Sequence, residues 1–261
     1  MTWTDSHIHC NDSHKAEFEQ WRKVEMMDLH THSVYSDGRD SVEQIITTAI
    51  ELGYQAIAIT DHVWRTSDWV EDYASHIDLM KQRYGNEIHI FSGLEAKVMN
   101  LQGDIDAADK FDAMVDLLLG SIHRIPFEGG FYSASKDHSE PRLFENWFIT
   151  FKRLLRNPRV DIVSHPLAEL KRFNIQIHRQ QKEEIARLLA ESGKIIEINV
   201  RHNAPDQEML DMLKHTSAKF VISSDSHSVH DLTMFCPEIR KMYAYPLNIA
   251  SIPDLQLLKK S

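Results

Sequence analysis

The chain has 261 residues, and its 29 Lys and Arg against 39 Asp and Glu give a formal net charge of −10. With 42% hydrophobic and 26% charged residues, it has the composition of a globular protein, which excludes fibrous and disordered classes. The acidic balance argues against a general nucleic-acid-binding protein, because affinity for nucleic acid comes mainly from Lys and Arg contacts to phosphates.

Apolar runs typical of buried strands alternate along the chain with segments of helical spacing. Strands are predicted at residues 24–29, 55–60, 87–91, 115–119, 160–163, 194–200 and 219–222. Helices are predicted at residues 41–52, 68–84, 104–114, 142–156, 178–192 and 205–215. Gly53, Gly85 and Gly193 follow three of the helices, where glycine commonly ends a helix, and Pro205 is expected in a first turn.

This alternation is typical of repeated βα units around a parallel sheet. No stretch of linker composition divides the chain. We therefore predict one α/β domain, a closed or nearly closed βα barrel. Spacing alone leaves an open doubly wound sheet as the alternative topology.

Side chains that can bind metals stand at the ends of six of the seven predicted strands. They are His30 and His32, His62, Glu95, His123, His165, and Asp225 with His227. Asp37, in the loop after the first strand, is a ninth candidate. Because active sites of parallel βα barrels form at the carboxyl ends of the strands, these side chains are expected to meet at one mouth.

Local spacing supports this expectation. Residues i and i+2 of an extended chain point the same way, so His30 and His32 share a face, as do Asp225 and His227. Imidazole and carboxylate groups suit Zn²⁺, Mn²⁺ or Fe²⁺. Nine ligands exceed one tetrahedral site, so two or three divalent ions are predicted. A single histidine at a strand end is more often an ordinary hydrogen-bonded residue, and the prediction depends on the joint placement.

Six motifs carry a family resemblance. They are DLHTHSVYSDG at residues 28–38, TDH at 60–62, GLE at 93–95, GSIH at 120–123, SHP at 164–166 and SDSH at 224–227. As a set, in this order and at strand ends, they resemble the PHP (polymerase and histidinol phosphatase) family. The resemblance implies a single-domain distorted (β/α)7 barrel that binds two or three divalent metals at the carboxyl ends of its strands and hydrolyses phosphoesters.

The same resemblance implies how the ligands divide. One ion would be held by His30, His32, Glu95 and Asp225. A second would be held by Glu95, as a bridge, with His123 and His165. The third would be held by Asp37, His62 and His227. No catalytic residue beyond these ligands is implied, since the attacking hydroxide would be metal-bound.

Three cations are candidates for contacting a substrate phosphate. Arg201 follows the sixth predicted strand, Arg124 follows His123, and Lys97 lies two residues after Glu95. Arginine can contact a phosphate with two parallel hydrogen bonds. A solvated surface cation is the alternative interpretation for each.

A second Asp-x-His-x-His sequence lies near the amino terminus, at residues 5–9. It lacks both a following Ser-Asp-Gly and a preceding apolar strand, so we do not interpret it as part of the metal site. We assign it to an N-terminal extension, residues 1–27, which precedes the barrel domain, residues 28–261. In the family that the chain resembles, the first strand usually opens the chain.

The leading functional prediction is a metal-dependent phosphoesterase, similar to histidinol phosphatases, that hydrolyses a small-molecule phosphomonoester. A phosphodiesterase acting on cyclic or short nucleotide phosphates is the alternative. The amidohydrolase class also begins with His-x-His, but it normally needs a metal-bridging lysine where this chain has His123. A metal-stabilised binding module without catalysis is the alternative from another class, although such a module would be expected to have lost ligands.

The cysteines and the first residues of the chain bear on its cellular location. Cys10 and Cys236 have no CxxC spacing, which excludes a disulfide framework and a cysteine-based zinc site. The first residues lack the basic and apolar regions of a signal peptide, and no run approaches the ~20 apolar residues of a membrane span. We therefore expect a cytoplasmic protein whose partner is a small phosphorylated molecule and not a membrane. The sequence does not predict an oligomeric state.

Overall fold

The computed structural model describes residues 25–133 and 140–258. The second histidine motif, Cys10 and nearly all of the predicted N-terminal extension therefore lie outside the described residues. The first described strand begins at Met27.

Parallel strands form the centre of the molecule. They are β1 (Met27–Asp28), β2 (Ala56–Ile59), β3 (His62–Val63), β4 (His89–Lys97), β5 (Leu117–Ser121), β8 (Ile162–Val163), β9 (Ile195–Asn199) and β10 (Lys219–Ser223). An antiparallel pair, β6 (Pro126–Phe127) and β7 (Gly130–Phe131), lies apart from them. The sheet order is β1-β2-β4-β5-β8-β9-β10, with the short β3 also paired to β4.

The two edges of this sheet meet. Thr31, just after β1, forms a parallel bridge with Ser226, just after β10, and the His32 N–H donates to the Ser226 carbonyl at 2.8 Å. The strands therefore follow one another around a nearly closed barrel in chain order, and the single-domain (β/α)7 prediction is confirmed. The doubly wound alternative is wrong, because such a sheet reverses its strand order part-way.

Helices cover the outside of the barrel. They are α1 (Val42–Glu51), α2 (Val70–Tyr84), α3 (Glu140–Leu154), α4 (Ala168–Arg172), α5 (Arg179–Glu191), α6 (Gln207–Leu213), α7 (Val229–Met242) and α8 (Ile252–Leu257). The local sequence explains where they begin: Ser41 and Gln44 cap α1 reciprocally, and Ser228 caps α7 by accepting from the Asp231 N–H. Gly53 follows α1 with φ of +81°, a conformation that glycine adopts without a steric penalty.

One predicted helix and one predicted helix start are wrong. Residues 104–114 contain only a 3₁₀ helix, Asp109–Ala113, because Ile105 instead bridges Val98 in antiparallel fashion. The turn between these two is stabilised by the Asn100 side-chain oxygen, which accepts from the backbone N–H groups of residues 102 and 104. Turn chemistry thus overrides the helical spacing. Pro205 precedes the N-cap of α6 instead of occupying its first turn.

The apolar core has two parts, divided by the alternation of side chains along each strand. Outside the barrel, Ile57 and Ile59 pack against the helices. Inside it, Ala56 and Ala58 join Phe91 and other apolar residues, and residues 249–258 close this layer. The polar strand residues Glu95, Ser121, Glu197, Asn199 and Ser223 lie toward the carboxyl ends and are buried. That end of the barrel therefore holds a buried polar cluster.

Within the described residues, none of the helices has the length and apolar character required to traverse a bilayer.

Helix α3 provides a stability test. Phe151 is fully buried and stacks on Trp147 with ring centroids 4.7 Å apart, whereas Ile149, on the same helix, is 42% exposed. We expect Phe151→Ala to lower the free energy of unfolding by about 3–5 kcal/mol, because it leaves a cavity in the core. Ile149→Ala is the control and is expected to cost less than about 1 kcal/mol. Equal losses in urea denaturation would contradict the placement of α3.

Candidate metal centre

The loop after β1 positions three candidate ligands. The buried Asp61 carboxylate accepts hydrogen bonds from the Ser33 N–H at 2.8 Å and from the Ser36 hydroxyl at 2.6 Å, which fixes the loop. Gly38 passes so close to the chain that a Cβ there would lie 2.1 Å from the His32 carbonyl oxygen. Only glycine fits this turn, and the turn presents Asp37 to the same mouth as His32.

Glu95 lies at the centre of the candidate ligands. It belongs to β4 and is 1% exposed. Its Oε1 lies 2.9 Å from His123 Nε2 and 3.0 Å from His165 Nε2. Its Oε2 lies 2.8 Å from His62 Nδ1 and 3.4 Å from His30 Nε2. One carboxylate therefore faces imidazoles from four different strand ends.

Asp225 is the second buried carboxylate of the cluster. Its Oδ1 lies 3.1 Å from His32 Nε2 and 3.7 Å from His30 Nε2. Its backbone has φ of +55°, and that of His165 has φ of +28°, a region that residues other than glycine rarely adopt. Such strain is typical of functional sites, where the surrounding structure holds it in place.

The half-exposed Asp37 completes the outer side of the cluster. Its Oδ2 lies 3.5 Å from His62 Nε2, and its Oδ1 lies 3.3 Å from His227 Nε2. The His32 ring lies between these two imidazoles, 4.4 Å from the His62 ring and 4.3 Å from the His227 ring.

The structure brings all nine predicted ligand residues together. Four overlapping groups have ligand atoms within 4.8 Å of one another: His32, Asp37, His62 and His227; His30, Glu95 and His165; His30, His32 and Asp225; and His62, Glu95 and His123. These groups differ from the three sets implied by the resemblance in two ways. His32 also joins the Asp37 group, and His123 and His165 fall into separate groups around Glu95, His123 with His62 and His165 with His30.

The donor atoms fit divalent cations. Among the described residues, His30 Nε2 and His32 Nδ1 are buried polar atoms without a hydrogen-bond partner. Buried polar groups are normally paired, so two unpaired imidazole nitrogens in one cluster point to a ligand. Imidazole nitrogens combined with carboxylate oxygens suit Zn²⁺, Mn²⁺ or Fe²⁺.

The pKa shifts show that the cluster carries an excess of negative charge, which favours a bound cation. Burial alone would raise the pKa of Glu95, but His123 and His30 lower that pKa well below its usual range, and the pKa of Asp225 is lowered in the same way. Burial alone would lower the pKa of His30, but the carboxylates of Glu197 and Glu95 raise it well above its usual value. The two buried carboxylates are thus ionised at neutral pH, the form that binds metals.

Sequence reasoning missed Glu197. It lies within β9, fully buried, and its Oε1 is 2.7 Å from His30 Nδ1, while its Oε2 accepts from the His165 N–H. A carboxylate that accepts a hydrogen bond from the Nδ1–H group fixes the imidazole so that Nε2 faces the cluster. The signal was available, because a charged residue inside the apolar run Ile-Ile-Glu-Ile requires a buried partner.

Sequence reasoning also missed Asp28 and His202. Asp28, in β1, is buried, its Oδ1 accepts from the Ser224 N–H at 3.0 Å, and burial raises its pKa to about 7. His202 Nε2 lies 3.0 Å from Asp225 Oδ2, and its ring is 5.2 Å from that of His165. Its position directly after Arg201, at a strand end, was the available signal for His202.

A cavity of about 260 Å³ opens beside the cluster and contains two of the three predicted substrate cations. Its lining includes His62, Trp64, Lys97, His123, Arg124 and Phe131. Lys97 Nζ lies 3.4 Å from Asp106 and 6.0 Å from the centre of the Trp64 ring. Arg201 is placed differently: its Nη2 donates to Asp231 at 2.6 Å, and its guanidinium lies over the Phe235 ring.

A model of the PHP domain matches residues 28–201 of the chain. The DNA polymerase/3′-5′ exonuclease PolX of Bacillus subtilis is 28% identical over 89% of this chain, which spans 40% of that protein's length. A protein named probable phosphatase from Acetivibrio thermocellus is 25% identical over 80% of this chain and 83% of its own length.

Two solved structures share the fold. A protein assigned as histidinol phosphatase hisK from Listeria monocytogenes superposes with a TM-score of 0.65 at 17% identity, covering 79% of this chain and 97% of its own. The histidinol phosphate phosphatase of Lactococcus lactis, solved with zinc, L-histidinol and phosphate, gives a TM-score of 0.60 at 19% identity. That match covers 82% of this chain and 94% of the other.

The contact between Glu197 and His30 gives a test of the metal centre. We expect Glu197→Gln to weaken metal binding roughly 10- to 100-fold, because the imidazole loses the carboxylate that fixes its orientation. Competition with a chromogenic chelator would measure this affinity. Glu183→Gln, on the exposed face of α5, is the matched control and is expected to bind metal normally. Unchanged affinity in both variants would contradict the role given to Glu197.

Proposed function

The chain belongs to the PHP-domain family and is a metal-dependent phosphoric ester hydrolase, and from this premise we propose that its substrates are phosphomonoesters of small molecules. The observation that carries the proposal is the cavity of about 260 Å³ at the ligand cluster. This volume is small even for a small-molecule site, and one phosphate with a compact leaving group suits it better than a polymer does.

We assign the nine ligands to three ions. His30, His32, Asp225 and Glu95 would hold the first ion. Glu95 with His123 and His165 would hold the second, and Asp37, His62 and His227 would hold the third. The bridging role of Glu95 is supported by its two oxygens, which face different imidazoles. Zn²⁺ and Mn²⁺ are the ions proposed first, with Fe²⁺ as the further possibility, because the donors are nitrogen and oxygen only.

When bound, such ions lower the pKa of water and stabilise the charge that develops on phosphate oxygens. The contributions of the chain are positional. Glu197 orients His30 through its Nδ1, and Asp61 holds the loop that presents Asp37. Trp64, 43% exposed at the cavity wall, and Phe131 exclude water from one side of the substrate.

Three cations of the chain are proposed to bind the phosphate. Lys97 and Arg124 are the stronger candidates, because both line the cavity. Arg201 is proposed to act from the opposite side, beside His202, with its guanidinium oriented by Asp231. The leaving group then lies between Trp64 and Phe131. A histidinol-like amino alcohol is one leaving group of suitable size, as in the zinc complex of the Lactococcus lactis protein.

The first experiment compares p-nitrophenyl phosphate with bis-p-nitrophenyl phosphate in the presence of added Zn²⁺ or Mn²⁺. We expect turnover of the monoester and a loss of at least about 100-fold in Asp225→Ala, because a buried ligand of the metal centre is removed. Asp78→Ala, an exposed aspartate on α2, is the control and keeps its activity.

Two outcomes would contradict the proposal. Preference for the diester would replace the monoesterase with a phosphodiesterase of cyclic or short nucleotide phosphates. Activity no higher than that of Asp225→Ala on both compounds, with metal bound, would favour a binding module.

The cavity cations give a second test. We expect Lys97→Met and Arg124→Gln each to raise KM for the monoester about tenfold or more, because a charge-assisted hydrogen bond contributes roughly 1.5–3 kcal/mol. Arg142→Gln on α3 removes an exposed arginine elsewhere and serves as the control. Unchanged KM in the two cavity variants would show that these residues are solvated surface cations.

A further inference from the structure

A second cavity, of about 420 Å³, lies on the outer side of the barrel. Its charged lining consists of Arg65, Arg153, Arg156 and Arg159 with Asp104 and Asp109. We call it the arginine cleft. Four guanidinium groups against two carboxylates make this a basic region on a chain whose formal net charge is −10. None of the nine candidate metal ligands contributes to its lining.

One of the four arginines has a structural role. Arg159 donates to both oxygens of Asp112 at 2.8 Å, contacts Asp109, and donates to the carbonyl oxygens of Ala107 and Ala108 at 3.0 Å. These contacts fix it in the wall of the cleft. With Asp112 and Asp109 as partners, Arg159 is itself neutralised, so the positive charge available to a ligand comes from the other three arginines.

The other three arginines are differently placed. Arg65, Arg153 and Arg156 are exposed, and no carboxylate oxygen of the described residues lies within 4 Å of their guanidinium nitrogens. Arg153 lies in the last turn of α3, where the helix dipole favours a cation. Arg65, in the loop after β3, and Arg156, beyond the end of α3, have no such explanation. Two elements far apart in sequence thus direct unpaired cations into one cleft.

The shape of the cleft is set by backbone packing. Gly103 has φ of +77°, and a Cβ there would lie 2.7 Å from Arg153 Cβ and 2.8 Å from Leu154 N. The Asn157 side chain donates to the Gly103 carbonyl at 3.1 Å. The turn after β4 therefore packs closely against the end of α3. This contact fixes the distance between the two elements that line the cleft.

The cleft adjoins the metal-centre cavity. Trp64 lines that cavity, and the next residue, Arg65, lines the cleft. Asp106 connects the two: its Oδ2 lies 3.4 Å from Lys97 Nζ, and its Oδ1 accepts from the Arg65 N–H at 3.0 Å. The metal-centre cavity and the arginine cleft are thus neighbours on the surface, joined through Trp64, Arg65 and Asp106.

We propose that the arginine cleft binds a second phosphate group, distinct from the one that reacts at the metal centre. Guanidinium groups bind phosphate with paired hydrogen bonds, and unpaired ones lose no existing ion pair when they do so. The phosphate belongs either to the distal end of a bisphosphorylated substrate or to a separate phosphate ion. The first source rests on the proposed function, whereas the binding site itself does not.

The binding site is tested with the double variant Arg65→Gln/Arg156→Gln in the metal-loaded full-length protein. Equilibrium dialysis with radiolabelled inorganic phosphate counts the sites, and we expect the double variant to bind one phosphate fewer than the unmodified protein. The control, Arg142→Gln/Arg179→Gln, makes the same change in net charge outside the cleft and is expected to keep both sites.

The difference of one site persists even if the proposed hydrolase activity is absent, so the two proposals fail separately. Equal phosphate binding by the cleft variant and the unmodified protein would overturn the proposal.

Inhibition of p-nitrophenyl phosphate hydrolysis distinguishes the two sources of phosphate. If the phosphates belong to one molecule, glucose 1,6-bisphosphate inhibits about tenfold more strongly than glucose 6-phosphate, and the cleft variant loses this preference. If the phosphate binds separately, both sugars inhibit equally, and the cleft variant still lacks one dialysis site. A bisphosphate preference that survives in the cleft variant, together with unchanged dialysis, rules the cleft out as a phosphate site.

Discussion

The buried carboxylate of Glu95 is the constraint on which the mouth of the barrel depends. A carboxylate with 1% exposure is costly to bury unless cations or hydrogen-bond donors surround it. Here imidazoles from several strand ends surround it, and they lower its pKa well below the usual range. Because those imidazoles come from strand ends distant in sequence, the carboxylate can be both buried and ionised only when the barrel is assembled. The buried, ionised carboxylate at the site therefore requires the closed barrel.

The barrel meets this requirement by dividing its interior along its axis. Alanine and larger apolar side chains fill one end, and residues 249–258 cover it. Carboxylates and hydroxyls fill the other end. Glu197 lies where these two regions meet, with its carboxylate bound to His30 Nδ1. An apolar residue at position 197 would remove the acceptor of the His30 Nδ1–H group, and both tautomers of His30 would then be populated. Glu197 therefore determines which imidazole nitrogen faces the cluster.

Much of this was predictable because parallel strands carry a strong sequence signal and because their ends must meet. The strand-end rule predicted that eight of the nine candidate ligands share one mouth, and the structure brings these eight together with Asp37 from the loop after the first strand. The segment between β4 and β5 was not predictable from spacing, since backbone hydrogen bonds to the Asn100 side-chain oxygen and the left-handed Gly103 produce a turn within a helical pattern. Arg201 shows a different limit: its partner, Asp231, belongs to a helix that the motifs do not reach. Only the fold reveals that pairing.

Charge distribution connects the site with its surroundings. Glu95, Asp225 and Asp37 together place three carboxylates at the mouth, and a phosphate dianion entering there meets repulsion that Lys97 and Arg124 offset only in part. Divalent cations bound by those carboxylates would reverse the sign of the local field, and metal affinity and phosphate affinity would then each increase the other. The arginine cleft has no such dependence, since its cations belong to the chain. We therefore expect its affinity for inorganic phosphate to be the same with and without metal. This independence from metal distinguishes the cleft from the metal centre.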